Sequence, residues 1–332
     1  MKPPVAPRRD HTEIHHGYEL YDPYHWLKDS GYPQVTDQQV LDYLNAENAY
    51  FEQAMAPHNE LIDELFTEIK DRQPAEDESV PYRKGDYLYR WRYEKDAQYR
   101  LWQRAPIDAP ENWQTFLDEP QLAATNPYFS LGSLSVSPDG HFLAWSADTN
   151  GSERFDLTIT DLRTGENLPE VMTQTIGGPV WAADNEHLFY LKVNETWRPY
   201  QALRHRLGSD VDDDVVVNEE ADEGFFVGIG ETQSEQWLVI TSGDHITNEN
   251  YLIPAGDPLA EPVLVAPRRT GHEYHLDHRE GEFYIRTNDQ HSNFRLVRTP
   301  EDQPGEDHWY DVIDGSDDHY LTDHLCFKHY LI

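Results

Sequence analysis

The sequence predicts a mainly β chain: an incomplete β-propeller of about five blades plus the start of another, preceded by an extended arm and two α-helices. Three observations carry this. Five prolines fall within the first 35 residues, and helix-period apolar residues follow them before Tyr82. From Tyr82 onward the chain is a series of short β-like runs separated by turn signals. Those runs form units of strand, turn and strand followed by a second hairpin, recurring about every 40 to 50 residues, the period of a four-stranded propeller blade.

The arm comes first. Pro3, Pro4, Pro7, Pro23 and Pro33 exclude a long helix over residues 1 to about 35, so this stretch reads as extended. Within it YDPYHWLKDS, Tyr21 to Ser30, gathers Tyr21, Tyr24, Trp26 and Leu27 between charged residues. It is too short and too charged for a signal core or a membrane span. Thr36 with Gln39 fits a capping box opening the helix VLDYLNAENAYFEQAM, which Pro57 ends. Leu61, Ile62, Leu65, Phe66 and Ile69 mark a second helix ending near Arg72. Gln73 to Pro81 reads as a linker. The expected division is an arm and helical segment over 1–72 and a partial propeller over 73–332.

The blades follow. PYRKGDYLYRWRYEKDAQYRLWQR is the first unit; LSVSPDGHFLAW, GPVWAADNEHLFYL, FFVGIGETQSEQWLVI and YHLDHREGEFYIR open the next four. Pro138-Asp139-Gly140, Thr164-Gly165-Glu166, Ala183-Asp184-Asn185 and Arg279-Glu280-Gly281 supply hairpin turns. The last complete unit is expected to end near Pro300, with LTDHLCFKHYLI beginning another blade.

Charge narrows the function classes. Against 62 acidic residues stand 26 basic ones, only 7 of them Lys, for a net charge of −36. The acids are spread along the chain, which fits a surface adapted to high salt better than a single acidic cavity for cationic substrates. Phosphate binding needs a basic patch, so nucleic acid is a poor partner. One cysteine, Cys326, leaves no disulfide framework. MKPPVAPRRD has no apolar h-region and no run approaches a membrane span, so a cytoplasmic location without membrane contact is expected.

Several motifs resemble the N-terminal half of the prolyl oligopeptidase family of serine peptidases, and within it the oligopeptidase B branch. They are Tyr24-His25-Trp26-Leu27-Lys28-Asp29, Val40-Leu41-Asp42-Tyr43-Leu44 with Glu47-Asn48, and Tyr82, Tyr87, Tyr89, Arg90, Tyr99 and Arg104. Pro267-Arg268-Arg269, His272-Glu273-Tyr274 and Leu276-Asp277-His278 are similar to a segment of the oligopeptidase B branch. The resemblance implies a propeller that gates access to a C-terminal α/β-hydrolase domain and admits short peptides for cleavage after basic residues. It also implies that Tyr21, Tyr24, Trp26 and Leu27 pack against that hydrolase domain. No G-x-S-x-G elbow occurs here. Ser133 and Ser135 in LGSLSVSPDG lie on a strand running into a turn. No catalytic residue is therefore assigned, and the hydrolase domain is expected to be absent. The alternatives are a free-standing binding module and, less favoured, a propeller glycosidase using paired carboxylates.

Three further clusters are weighed, and no metal or cofactor is assigned. His272, His275 and His278 would gather as zinc ligands on a helix, but their flanks alternate as a strand, which turns His275 away. Asp314, Ser316, Asp317 and Asp318 lack the spacing and closing Glu of a calcium loop. Cys326, between Leu325 and Phe327, reads as a buried structural thiol. The charge yields a prediction: melting temperature should rise between dilute buffer and molar chloride, as the Debye length shrinks from about 10 Å at 0.1 M to about 3 Å at 1 M. Thermal melts at both salts check this, and a flat or falling midpoint refutes it.

Overall fold

The computed structural model describes residues 2–32 and 34–332; Pro33, one of the arm's helix-excluding prolines, lies outside them. The chain divides into two compact units, 1–75 and 76–332.

In the first unit the arm is not simply extended. Strands β1 (Thr12–His15) and β2 (Tyr18–Tyr21) form an antiparallel hairpin, Thr12 opposite Tyr21 and His15 opposite Tyr18. His16 and Gly17, both at positive φ (52° and 83°), make its two-residue turn. A 3-10 turn follows at His25–Leu27. The buried Asp29 carboxylate then accepts the backbone N–H groups of Gly31 (2.6 Å), Thr36 (2.6 Å) and Asp37 (2.7 Å), and these three bonds hold the carboxyl below its ordinary value. This folds the chain back to the start of helix α1 (Gln38–Met55). The cap is Asp37, which accepts the Gln39 N–H at 2.8 Å, and not the expected Thr36, whose own N–H Asp29 has already taken. Pro57 sits in a 3-10 turn, Ala56–His58, before α2 (Asn59–Asp71).

The second unit is mostly β and contains five blades. The first comprises β3 (Asp77–Glu78), β4 (Tyr82–Lys84), β5 (Tyr87–Tyr93), β6 (Arg100–Pro106) and β7 (Gln114–Asp118). Both β3 and β4 pair with β5, so part of the expected linker is a strand. A short helix, α3 (Glu119–Ala123), leads on, capped by Asp118. The second and third blades share one seven-stranded sheet: β8 (Ser130–Val136), β9 (Phe142–Asp148), β10 (Phe155–Asp161), β11 (Glu166–Trp181), β12 (His187–Val193), β13 (Pro199–Arg206) and β14 (Val215–Glu219). The 16 residues of β11 end one blade and begin the next. Its register against β12 shifts between Ile176 and Val180, where Gly177 takes φ 73° and lets the strand bend.

The fourth blade is β15 (Phe226–Glu231), β16 (Trp237–Gly243), β17 (Asn248–Pro254) and β18 (Val263–Leu264). The fifth is β19 (Tyr274–Arg279), β20 (Glu282–Thr287), β21 (Arg295–Pro300) and β22 (Tyr310–Ile313). It therefore ends beyond the expected limit at Pro300: a loop through Pro304 and Gly305 separates β21 from its last strand. A final hairpin, β23 (Cys326–Phe327) and β24 (Tyr330–Leu331), begins the next blade. Among the described residues no strand pairing joins the fifth blade to the first, so the propeller is incomplete, as expected.

The core lies between blades. Tyr89 and Leu117 of the first blade meet Phe129, Leu143 and Trp145 of the second. Leu157, Ile159 and Met172 meet Trp181, Leu188, Tyr190 and Leu203. Phe189 and Leu191 meet Val227, Leu238 and Ile240. Leu252 and Val265 meet Tyr274, Phe283 and Ile285. Successive residues of β12 thus serve opposite interfaces, the period-2 alternation of a strand buried on both faces.

Polar groups close the same seams. Burial alone raises the Glu220 carboxyl, but bonds from Arg268 (2.6 Å), Ser242 and the Asp222 N–H outweigh it and hold the group below its ordinary value of 4.5. The Arg268 guanidinium also stacks over Phe225 at 4.2 Å, beside the segment joining the third and fourth blades. Arg268→Ala should cost about 2–3 kcal/mol, below the usual cost of breaking a buried pair because Arg268 is about one-third exposed. Since the carboxyl is held low, the loss should be full above pH 4.5 and fade as pH falls below it. Urea melts of both proteins at pH 7 and in acid check the magnitude and its sign.

Candidate functional site

Two places qualify: the arm with its helices in the first unit, and the channel between first strands in the second. In the arm, Tyr21 is exposed and its hydroxyl donates to Asp10 at 3.0 Å; Tyr24 is exposed as well. Trp26 and Leu27 are half-buried. The Trp26 indole N–H donates to the Pro7 carbonyl at 2.8 Å, the Arg9 guanidinium lies 4.3 Å from the ring centre, and Tyr43 meets its edge at 6.0 Å. The four residues therefore divide: Trp26 has partners inside its own unit, whereas the two tyrosines face outward.

The helices expose more. Val40 is the one buried residue of α1, while Leu44 and Phe51 are exposed. Helix α2 has no buried residue, and Leu61, Ile62, Leu65, Phe66 (67%) and Ile69 (61%) form one apolar stripe in the open. Such a stripe is rare on a free surface and common where another domain docks.

In the second unit a cavity of about 380 Å³ lies between β4, β8 and β15, lined by Tyr82, Arg83, Lys84, Ser135, Glu231 and Glu235 among others. Lys84 of the first blade reaches Glu231 of the fourth at 3.7 Å. Desolvation raises the Glu231 carboxyl, which Lys84 opposes and Glu235 reinforces. Two carboxylates face the cavity, but Lys84 pairs with one of them. The chemistry on offer is recognition of charged groups.

The remaining clusters are structural. His272 stacks on Tyr274 and bonds Thr287 at 3.0 Å. His275 is exposed on the opposite side of β19, and His278 is buried between Ser234 (2.9 Å) and Glu301 (3.0 Å). The neighbouring residues knit the fourth blade to the fifth. The Tyr274 hydroxyl donates to the Ala266 carbonyl and accepts the Asn250 N–H, both at 2.8 Å; Arg269 grips Glu306 with two bonds. Asp317 meets His291 at 3.2 Å, and the Ser316 carbonyl accepts from Asn293. Ser133 lies on β8 and bonds Ser146 at 2.9 Å. The Cys326 thiol is buried, and burial together with Asp277 pushes it up to about 12, far from a reactive thiolate.

The sequence profile described as "Prolyl oligopeptidase, N-terminal beta-propeller domain" matches residues 3–332. The chain belongs to the prolyl oligopeptidase family. It is 33% identical to dipeptidyl aminopeptidase BI of Pseudoxanthomonas mexicana, over 96% of this chain and 46% of that protein. With protease 2 of Moraxella lacunata it shares 32% identity over 100% of this chain and 48% of the relative. The fold is similar to that of oligopeptidase B from Leishmania major, with a TM-score of 0.91 and 24% identity over 99% of this chain and 48% of that one. The chain thus spans about half the length of these family members. No helix is long and apolar enough to cross a membrane among the described residues.

Sequence reasoning missed two features. The Lys84–Glu231 cavity joins residues 147 positions apart, which no local pattern announces. The other is a cluster of His11, Glu13 and His25 in the arm. Part of its signal was the alternation H-x-E-x-H over 11–15, which on a strand places His11, Glu13 and His15 on one face; nothing local announced His25.

Proposed function

We propose that this chain is the substrate-gating propeller part of an oligopeptidase B-like serine peptidase that cleaves short peptides after basic residues. The catalytic Ser, Asp and His belong to an α/β-hydrolase domain outside these 332 residues. Residues 1–72 serve as the part that packs on that domain and 73–332 as the gate. Tyr21 and Tyr24 present the arm's docking face, with Trp26 and Leu27 setting its shape. The observation that carries this reading is the exposed apolar stripe of α2, with Phe51 and Leu44 of α1. The family's full-length members, in which this domain is about half of the protein, support the same division. A surface with net charge −36 favours cationic peptides and suits a cytoplasmic enzyme working at high salt.

The test is reconstitution. Burying about 600 Å² of apolar surface is worth roughly 15 kcal/mol at about 25 cal/mol per Å², before association costs. A co-expressed oligopeptidase B hydrolase half should therefore capture this chain as a soluble complex. Alone, the chain should self-associate in sedimentation runs and should not hydrolyse an arginyl amide. A compact monomer at high concentration that ignores the hydrolase half would favour a free-standing binding module. Turnover by the isolated chain, abolished by a serine-directed inhibitor, would sink the proposal.

A further inference from the structure

The arm's hairpin carries a group of side chains that neither peptide gating nor domain packing uses. Strand alternation sets Glu13 and His15 of β1, with His11 just before it, along one face, and the 3-10 turn brings His25 against them. One oxygen of Glu13 lies 3.0 Å from His11 Nε2 and 3.7 Å from His25 Nε2; the other lies 2.9 Å from His15 Nε2. Three imidazoles thus aim the same nitrogen at one carboxylate. Donor atoms of His11, Glu13 and His25 all fall within 4.8 Å of one another.

We propose that His11, Glu13 and His25 form a binding site for a borderline divalent transition metal of the zinc type. Two neutral imidazoles and one carboxylate are the donor set such ions prefer over calcium or magnesium, which favour oxygen alone. His15 holds the far oxygen of Glu13 and so fixes the direction of the near one, as the partners of metal-binding carboxylates do. The His11 and His25 rings are stacked at 3.6 Å and 6° from parallel. Both lone pairs can converge on one ion only if the rings splay, so binding turns His25. His25 adjoins Trp26 in the same 3-10 turn, and an ion there would pin that turn to the hairpin. The site draws on two segments about ten residues apart, joined by the β1–β2 hairpin.

The experiment is calorimetric titration of the EDTA-stripped chain with ZnCl2, in molar NaCl and excess Mg2+ so that surface carboxylates do not compete. One tight site is expected. His25→Ala should abolish it, and His15→Ala should weaken it about 10- to 100-fold; His329→Ala, far along the chain, should leave it unchanged. Circular dichroism of each variant shows whether it has folded. Co2+ on the unaltered chain gives a reading that needs no variant: ligand-field bands of mixed nitrogen and oxygen coordination are expected. Absence of zinc uptake, uptake indifferent to folded His25→Ala, or Co2+ bands of oxygen coordination alone would overturn the proposal, leaving the cluster as a hydrogen-bonded brace of the hairpin.

Discussion

The inner strands of a middle blade are buried on both faces, and much else in the structure follows from that condition. In β12, Leu188 and Tyr190 fill the seam with the second blade while Phe189 and Leu191 fill the seam with the fourth. A slip of one residue in register would exchange the two sets, and neither seam is shaped for the other's side chains. The constraint extends to turns. The Asp139 N–H donates to Asn185 in the corresponding turn of the next blade, and the Gln233 N–H donates to Asp277. Hydrogen bonds from the turn of one blade to the turn or first strand of the next thus hold the spacing that the apolar seams need.

Charged groups enter these seams only with partners. Arg295 is buried with Asp289 and Asp311, His205 with Asp214, and Arg198 donates to the carbonyls of Asp222, Phe225 and Glu220. An acidic chain of this kind can keep its excess carboxylates outside because the blade faces need few of them. The oligopeptidase B-like segment from Pro267 to His278 takes its character from this demand. Arg269, His272, Tyr274 and His278 tie the fourth blade to the fifth, and Arg268 reaches back to Glu220 beside the connection of the third to the fourth.

The propeller was legible because its signals are local and repeated. Gly140, Asn185 and Gly281 each occupy the positive-φ position of a hairpin between the strands that begin a blade, and the runs beside them alternate or are uniformly apolar. What escaped was decided at a distance. Asp29 captured the Thr36 N–H and moved the helix cap to Asp37. Asp77 and Glu78 became a strand because β5 offered them an edge. The β1–β2 hairpin lay between prolines whose presence argued only against helix, and its His16-Gly17 turn was the overlooked sign. For the site, the aromatic arm was visible as a composition anomaly. The cluster at Glu13 was not, since His25 joins it only through the turn after β2.

The two units answer the folding problem differently. In the second, four interblade cores absorb the large apolar side chains, and the sheets need nothing further between their faces. In the first, α2 is 13 residues long and buries none of them. A helix of that length is marginal in water on its own hydrogen bonds, and proteins normally stabilise it by covering the apolar stripe. Leu61, Leu65, Phe66 and Ile69 have no such cover among the described residues. The same is true on a smaller scale at the last hairpin, where Cys326 is buried but Leu325, Phe327 and Tyr330 are exposed. Exposed apolar side chains also dot the blades, at Val215, Val216, Val263 and Leu264 for example, but only α2 lines them up along one helix face with nothing buried behind them. A 13-residue helix with that stripe uncovered is the least self-sufficient element of the fold, whereas each blade draws its stability from its neighbours.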